Sequence, residues 1–211
     1  MKMIVRVLVY CVGLLTLAFG VAFSVNSNLG VSPVNSLPYV VSLITKAELG
    51  TCVICIFSLY ILVQILIKRR DFKWINLTQV VFSTVFGYFV NFAKYILGSW
   101  AIPGYIGQLV MMAISIVLVT LGIAIYMDAK LVNMPMEGMT LAISECFPQM
   151  EFHKIKMIVD CIFVAVGIVL SFLFLHGLYG IREGTILSAI FVGKLLPLAK
   201  RGIRPVMDRI M

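Results

Sequence analysis

Charge is the scarcest ingredient of this chain: only 12% of its 211 residues are Asp, Glu, Lys or Arg, against 62% hydrophobic residues. Soluble domains carry roughly a quarter charged and about half apolar residues, and a fold of this size has too little interior to hide such an excess. Lipid does not require it to be hidden, so a mean hydropathy of +1.08 fits a bilayer as the solvent. Long polar stretches are missing as well. That excludes a separate soluble domain, and residues 1–211 read as a single membrane domain. Histidine is nearly absent: His153 and His176 stand at opposite ends of one apolar run, where they cannot share a metal ion. Cys52-Val53-Ile54-Cys55 has the C-x-x-C spacing but no second ligand pair. The five cysteines (Cys11, Cys52, Cys55, Cys146, Cys161) therefore read as small membrane hydrophobes, not as a zinc site or a disulfide framework. A nucleophile–base constellation and a phosphate loop are also lacking, so neither enzyme activity, nor a cofactor, nor a metal is expected.

What is present is apolar length. Six runs, at about 4–25, 51–67, 76–96, 106–127, 157–175 and 184–199, reach the roughly 17–25 residues of a spanning helix or come close to it. The first follows a charged start, Met1-Lys2-Met3-Ile4-Val5-Arg6, yet it is too long for a signal peptide and lacks a small-residue cleavage site, so it reads as a retained span. Two shorter segments, at about 33–45 and 135–147, each open with proline at a helix-starting position. If these two do not cross, Lys2, Arg6, Lys68, Arg69, Arg70, Lys73, Lys154, Lys156, Lys200, Arg201, Arg204 and Arg209 all fall on one side. The other side keeps little beyond Lys46, Lys94 and Arg182. Positive charge collects on the cytoplasmic side, which predicts six spans in the cell membrane with both termini cytoplasmic. Basic residues flanking spans serve orientation and lipid headgroups, so the net charge of +8 does not point to nucleic acid.

The two halves also resemble each other. Laying Gly20 on Gly122 brings Ala22 onto Ala124, Leu29 onto Leu131 and Pro33 onto Pro135 without a gap, with Asn26 on Asp128 and Asn35 on Glu137. After a short insertion Val53 meets Val159, Cys55-Ile56-Phe57 meets Cys161-Ile162-Phe163, Gly87 meets Gly193 and Ala93-Lys94 meets Ala199-Lys200. The halves divide at about 1–100 and 101–211. Each holds three spans, an odd number, so the second copy is expected upside down in the membrane, a recurring plan among secondary transporters. The expected fold is all-α: a polytopic helix bundle of six spans and two short re-entrant or interfacial helices, in two inverted repeats.

Three sequence pieces sharpen this picture: Asn28-Leu29-Gly30-Val31-Ser32-Pro33, Met134-Pro135-Met136-Glu137-Gly138, and Gly180-Ile181-Arg182-Glu183-Gly184-Thr185. With them the chain resembles the YczE/YyaS-like family of bacterial integral membrane proteins, over most of its length. The resemblance implies a multi-span fold in a bacterial inner membrane. Where many relatives carry Trp-Asp directly after the first proline, this chain has Val34-Asn35.

Intramembrane charges and paired helix starts supply the candidate functional residues. Asp160 and Lys194 lie at matching depths in the fifth and sixth runs and are expected to pair, either as a structural clamp or as a proton-linked coupling or gating switch. Glu137 sits in the first turn of a short helix, where the dipole favours a carboxylate; it is either a plain first-turn acid or a coordinating group. Ser32 reads as an N-cap, and Asn35 as the polar partner of Glu137 in one midplane cavity that offers free N–H donors to an anionic or zwitterionic solute. Arg182, Glu183 and Thr185 open the sixth run as an interface ion pair and cap, or as part of an outer mouth. The leading expectation is a secondary transporter for a small polar solute, with proton coupling as the candidate drive. The alternative is a non-transporting membrane partner, an assembly factor or a substrate-binding subunit of a larger complex. The partners implied are the lipid bilayer, a small-molecule solute and a second copy in a homodimer.

Overall fold

The computed structural model describes residues 2–69, 72 and 74–210. Arg70 and Lys73 of the basic cluster lie outside the described residues, as do the side chains of Lys2, His153 and Arg209. The elements are α1 (Lys2–Ser27), α2 (Pro33–Thr45), α3 (Leu49–Lys68), α4 (Thr78–Leu97, led in by a 3-10 turn at Trp74–Leu77), α5 (Gly104–Asp128), α6 (Pro135–Cys146), α7 (Phe152–Leu175) and α8 (Glu183–Ile210). Every regular element among the described residues is a helix. Proline opens α2 and α6 at a first-turn position, where its missing N–H costs nothing. The chain breaks after α1 and α5 at equivalent residues: Asn28 (φ 57°) and Lys130 (φ 52°) both adopt the left-handed conformation that closes a helix C-terminus.

Five helices, α1, α3, α4, α5 and α7, are long and apolar enough to cross a membrane. The sixth expected span lies within α8, 28 residues long but less apolar, with Pro197 and Pro205 inside it. Contacts give the directions. Tyr10 of α1 stacks near Phe82 of α4 at 4.4 Å, and Asn26 near the end of α1 accepts from Lys94 near the end of α4, so α1 and α4 run parallel. Gly50 of α3 bonds Asn91 of α4 while Gln64 bonds Gln79, so that pair is antiparallel. Ser115 of α5 donates to the Gly20 carbonyl and Gly13 faces Tyr126, which sets α5 against α1. Glu145 near the end of α6 pairs with Lys68 at the end of α3. One end of the bundle thus collects Arg6, Lys68, Lys130 and Lys200, and is called the near end below. The short helix α2 starts and finishes at the far end, since its C-terminal Thr45 meets Cys52 in the first turn of α3. Likewise α6 starts and finishes at the near end. Neither short helix crosses the bundle.

The core sits where α1 and α5 cross, with Tyr10, Leu14, Tyr60, Phe57, Phe86, Met136 and Met139 fully buried around them. Lipid offers no hydrophobic drive between helices, so close backbone approach at small residues does the work. A Cβ on Gly20 would stand 2.7 Å from the Val119 side chain, and one on Gly122 would stand 2.6 Å from the Leu17 backbone. The sequence register equates Gly20 with Gly122 and Leu17 with Val119, so this crossing is self-complementary, in the manner of a two-fold interface. Other pairings follow the same rule: α1 packs on α4 as α5 packs on α8, and α2 packs on α7 as α6 packs on α3. One pairing breaks it. Gly50 and Gly87 bring α3 and α4 together, whereas α7 and α8 make no comparable contact and Gly193, the counterpart of Gly87, has nothing within 4 Å of its would-be Cβ.

Candidate functional site: two opposed cavities and a buried carboxylate

The near end opens into a cavity of about 690 Å³ walled by α3, α4, α5 and α6. Its floor is polar: Gln64 Nε2 donates to Gln79 Oε1 and to the Pro135 carbonyl, each at 3.0 Å. Both glutamines are buried, and Gly138 makes room for them, since a Cβ there would meet Gln64 Oε1 at 2.6 Å. Lys68, Asn76, Lys130, Asn133 and Glu145 rim the mouth, with the Lys68–Glu145 pair at 2.9 Å. The far end holds a smaller cavity of about 280 Å³ beside α1, α2 and the turn before α8. The two are lined by positions that the sequence register equates: Val25 with Met127, Asn28 with Lys130, Gly30 with Val132, Val31 with Asn133, Tyr39 with Leu141, and Leu43 with Glu145.

The far cavity is shaped by two sequence motifs that interlock. Val31 N–H donates to the Gly180 carbonyl at 3.0 Å, and Gly184 N–H to the Leu29 carbonyl at 2.8 Å. Gly30 adopts φ 103°, a conformation glycine reaches without strain, and a Cβ there would collide with Arg182 N and Thr185 Oγ1 at 2.7 Å. Arg182 donates to the Asn28 carbonyl at 3.1 Å and pairs with Glu183 at 3.2 Å. The Thr185 hydroxyl is buried without a partner. The expected interface ion pair is therefore present, joined to the first motif.

Glu137 belongs to a different centre. Its Oε1 accepts from the Tyr126 hydroxyl at 3.2 Å, while its Oε2 is shut off from solvent without a partner. Tyr10 lies beside Tyr126, ring centroids 5.6 Å apart, and Lys156 and Asp160 are close enough for their charges to act on Glu137. The Tyr60 hydroxyl, also unpartnered, feels the Asp160 charge. An ionised carboxylate with an unpartnered oxygen is costly at membrane depth.

Three expectations are corrected. Asn35 and Glu137 do not line one cavity: Asn35 stands in a closed space with Val21, Ser24, Ser115 and Val119, whereas Glu137 stands at the level of Tyr10. At 1.5 Å rise per residue those stations on α1 are roughly 15–20 Å apart. Asp160 does not pair with Lys194. It bonds Lys156, one turn back on its own helix, at 2.6 Å, because α7 and α8 are not packed together; Lys194 is exposed. Ser32 occupies the N-cap position without making the cap bond; its hydroxyl instead accepts from Asn35 Nδ2 at 3.1 Å, leaving Asn35 Oδ1 unpartnered. Sequence reasoning missed Gln64, Gln79, Tyr10 and Tyr126. Two glutamines inside apolar runs were the available signal, since buried amides need partners.

Residues 4–201 match the model of a family of unknown function, DUF6198. The chain belongs to that family. It is similar to a protein of Bacillus subtilis (strain 168) described as the uncharacterized membrane protein YczE, 28% identical over 198 residues, covering 92% of this chain and 85% of that protein. No solved structure matches. Together with its apolar helices, this makes the chain a multi-pass membrane protein.

Proposed function

We propose that this protein is a secondary transporter for a small polar solute, built from two inverted repeats whose cavities open alternately to the two sides of the membrane. The observation that carries the reading is the pair of cavities at opposite ends, about 690 and 280 Å³, lined by equivalent positions of the two halves. Inverted repeats generate this arrangement when both halves share a fold but hold it differently. The near end, rich in Lys and Arg, faces the cytoplasm by the positive-inside rule. The near cavity offers amides at its floor and mostly cations at its rim, a lining that suits an anionic or zwitterionic solute. Arg182, Glu183 and Thr185 hold the far mouth narrow, and Glu137 with Tyr126 and Tyr10 is the candidate proton carrier.

The difference between α3–α4 and α7–α8 supplies the motion. If the halves exchange conformations, α7 closes on α8 as α3 now closes on α4. Ile54 packs against Gly87, so its counterpart Asp160 then meets Gly193, with Lys194 as the next residue. Lys156 holds Asp160 in the present state and would have to release it on closing. Native mass spectrometry of the purified protein, followed by counterflow of any retained small molecule in proteoliposomes, tests the proposal. Exchange of that solute, lost in Gln79→Leu, is the expected result. No flux for any retained molecule, with a second protein co-purifying, contradicts it.

A further inference from the structure

A second cavity at the near end shares only Lys130 with the first and lies between the first turns of α1 and the last turns of α5 and α8. Arg6, Lys130, Lys200, Arg201 and Arg204 line a space of about 510 Å³ together with Asp128 and Met207. Among the described residues, five cations thus surround one acid. Arg6 Nε and Asp128 Oδ2 are each closed to solvent and without a hydrogen-bond partner, so the side chains around the cavity leave buried polar atoms unmatched. The equivalent place in the first half is satisfied internally. There Asn26, counterpart of Asp128, accepts from Lys94, counterpart of Lys200, at 2.8 Å, and donates to the carbonyls of Gly98 and Trp100 at 3.1 and 2.9 Å. The second half keeps open what the first half closes with its own atoms, and replaces a neutral acceptor by a carboxylate amid extra cations.

We propose that this cavity is a binding site for a phosphate ester that carries a free hydroxyl, such as a glycerol phosphate group. Arginine presents a planar fork that matches phosphate oxygens two at a time, and the lysines add point charge. Asp128 repels a bare phosphate but accepts a hydrogen bond from a hydroxyl, which selects a hydroxylated ester over the simple anion. The position at the ends of three helices suits the headgroup of phosphatidylglycerol in the adjoining leaflet; the same chemistry is offered by free glycerol phosphate. Apart from Lys130, which also rims the near cavity, these groups are not among those assigned to the solute or the proton, so a test at Arg201 and Arg204 reads the site independently of transport.

The test is the thermal unfolding midpoint of the full-length protein in detergent, with added short-chain phosphatidylglycerol, phosphatidylcholine or free glycerol phosphate. Phosphatidylglycerol is expected to raise the midpoint by several degrees over phosphatidylcholine, and Arg201→Gln/Arg204→Gln to remove most of that gain. Asp128→Asn is expected to lower the gain from phosphatidylglycerol while sparing that from phosphatidic acid, which has no glycerol hydroxyl. An equal shift with free glycerol phosphate assigns the site to the soluble ester. Equal midpoints with all three additives overturn the proposal, as does an unchanged gain in the double variant. Should that variant not fold, Lys200→Gln in α8 carries the same comparison, and an unchanged gain there is equally decisive against the site.

Discussion

The helix pairs α3–α4 and α7–α8 hold equivalent places in the two halves, yet only the first is packed. In α3–α4 two glycines bring the backbones together and Ile54 fills the groove at Gly87. In α7–α8 the groove at Gly193 is empty, and the residue due to fill it is Asp160, held by Lys156 on its own helix. An isoleucine packs in any charge state. The aspartate is partly solvated where it stands now, but a charge closed into that seam would need another cation or a proton beside it. The first pair is packed apolar on apolar in this structure, whereas closing the second would carry a carboxylate into the seam.

The largest effect that separates the pairs is steric. Gly50→Val, whose Cβ collides with the Gly87 carbonyl, is expected to cost about 1–3 kcal/mol or more. Gly193→Val, facing open space, should stay within about 0.5 kcal/mol while obstructing the second state and hence transport. Denaturation in mixed micelles measures the first effect and counterflow the second. Equal stability losses at the two sites break the comparison.

At the α1–α5 crossing the halves should instead behave alike. Gly20→Val and Gly122→Val meet backbone or side chain at 2.7 and 2.6 Å, so each is expected to lose about 1–3 kcal/mol. Near-equality of the two midpoints is the result that sharpens the symmetry.

The cavities differ more subtly. Gln79→Leu leaves the Gln64 amide short of a partner, a loss of about 1–3 kcal/mol. Its counterpart Thr185 has a hydroxyl that bonds nothing, and Thr185→Val, which keeps the shape, should cost under about 0.5 kcal/mol. Thermal midpoints of the two variants decide this.

Most of the bundle was legible in the sequence, because membrane thickness fixes span length and proline marks the two helix starts. The correspondence of Gly20 with Gly122 came from laying one half on the other, and both glycines stand at the α1–α5 crossing. Contacts between helices were not legible, since apolar periodicity is uninformative when lipid accepts every face; hence the misplaced Asp160–Lys194 pair. The misplaced Asn35–Glu137 site has another cause. Matching Asn35 with Glu137 by register says which positions correspond, not that they meet, and the two stand at levels of α1 roughly 15–20 Å apart.

Smallest in energy is the prediction on that pair itself. The Lys156 and Asp160 side chains are 25% and 24% exposed, so Asp160→Asn should cost less than about 1 kcal/mol. Combined with Lys194→Met it should be additive in stability, within about 0.5 kcal/mol. A large coupling in a stability double-mutant cycle places the pair in the first state and removes the contrast between the halves.

Alternation between the halves is tested most directly by alkylating Val31→Cys and Asn133→Cys, equivalent positions in the far and near cavities, in a background freed of the native cysteines. Asn133 is exposed and Val31 buried, so the near-cavity thiol should react faster. Joining α7 to α8 by a crosslink between Phe163→Cys and Val192→Cys, formed before the third cysteine is unmasked, should invert that order. A crosslink that forms and leaves both rates unchanged, or slows both alike, contradicts the exchange of conformations.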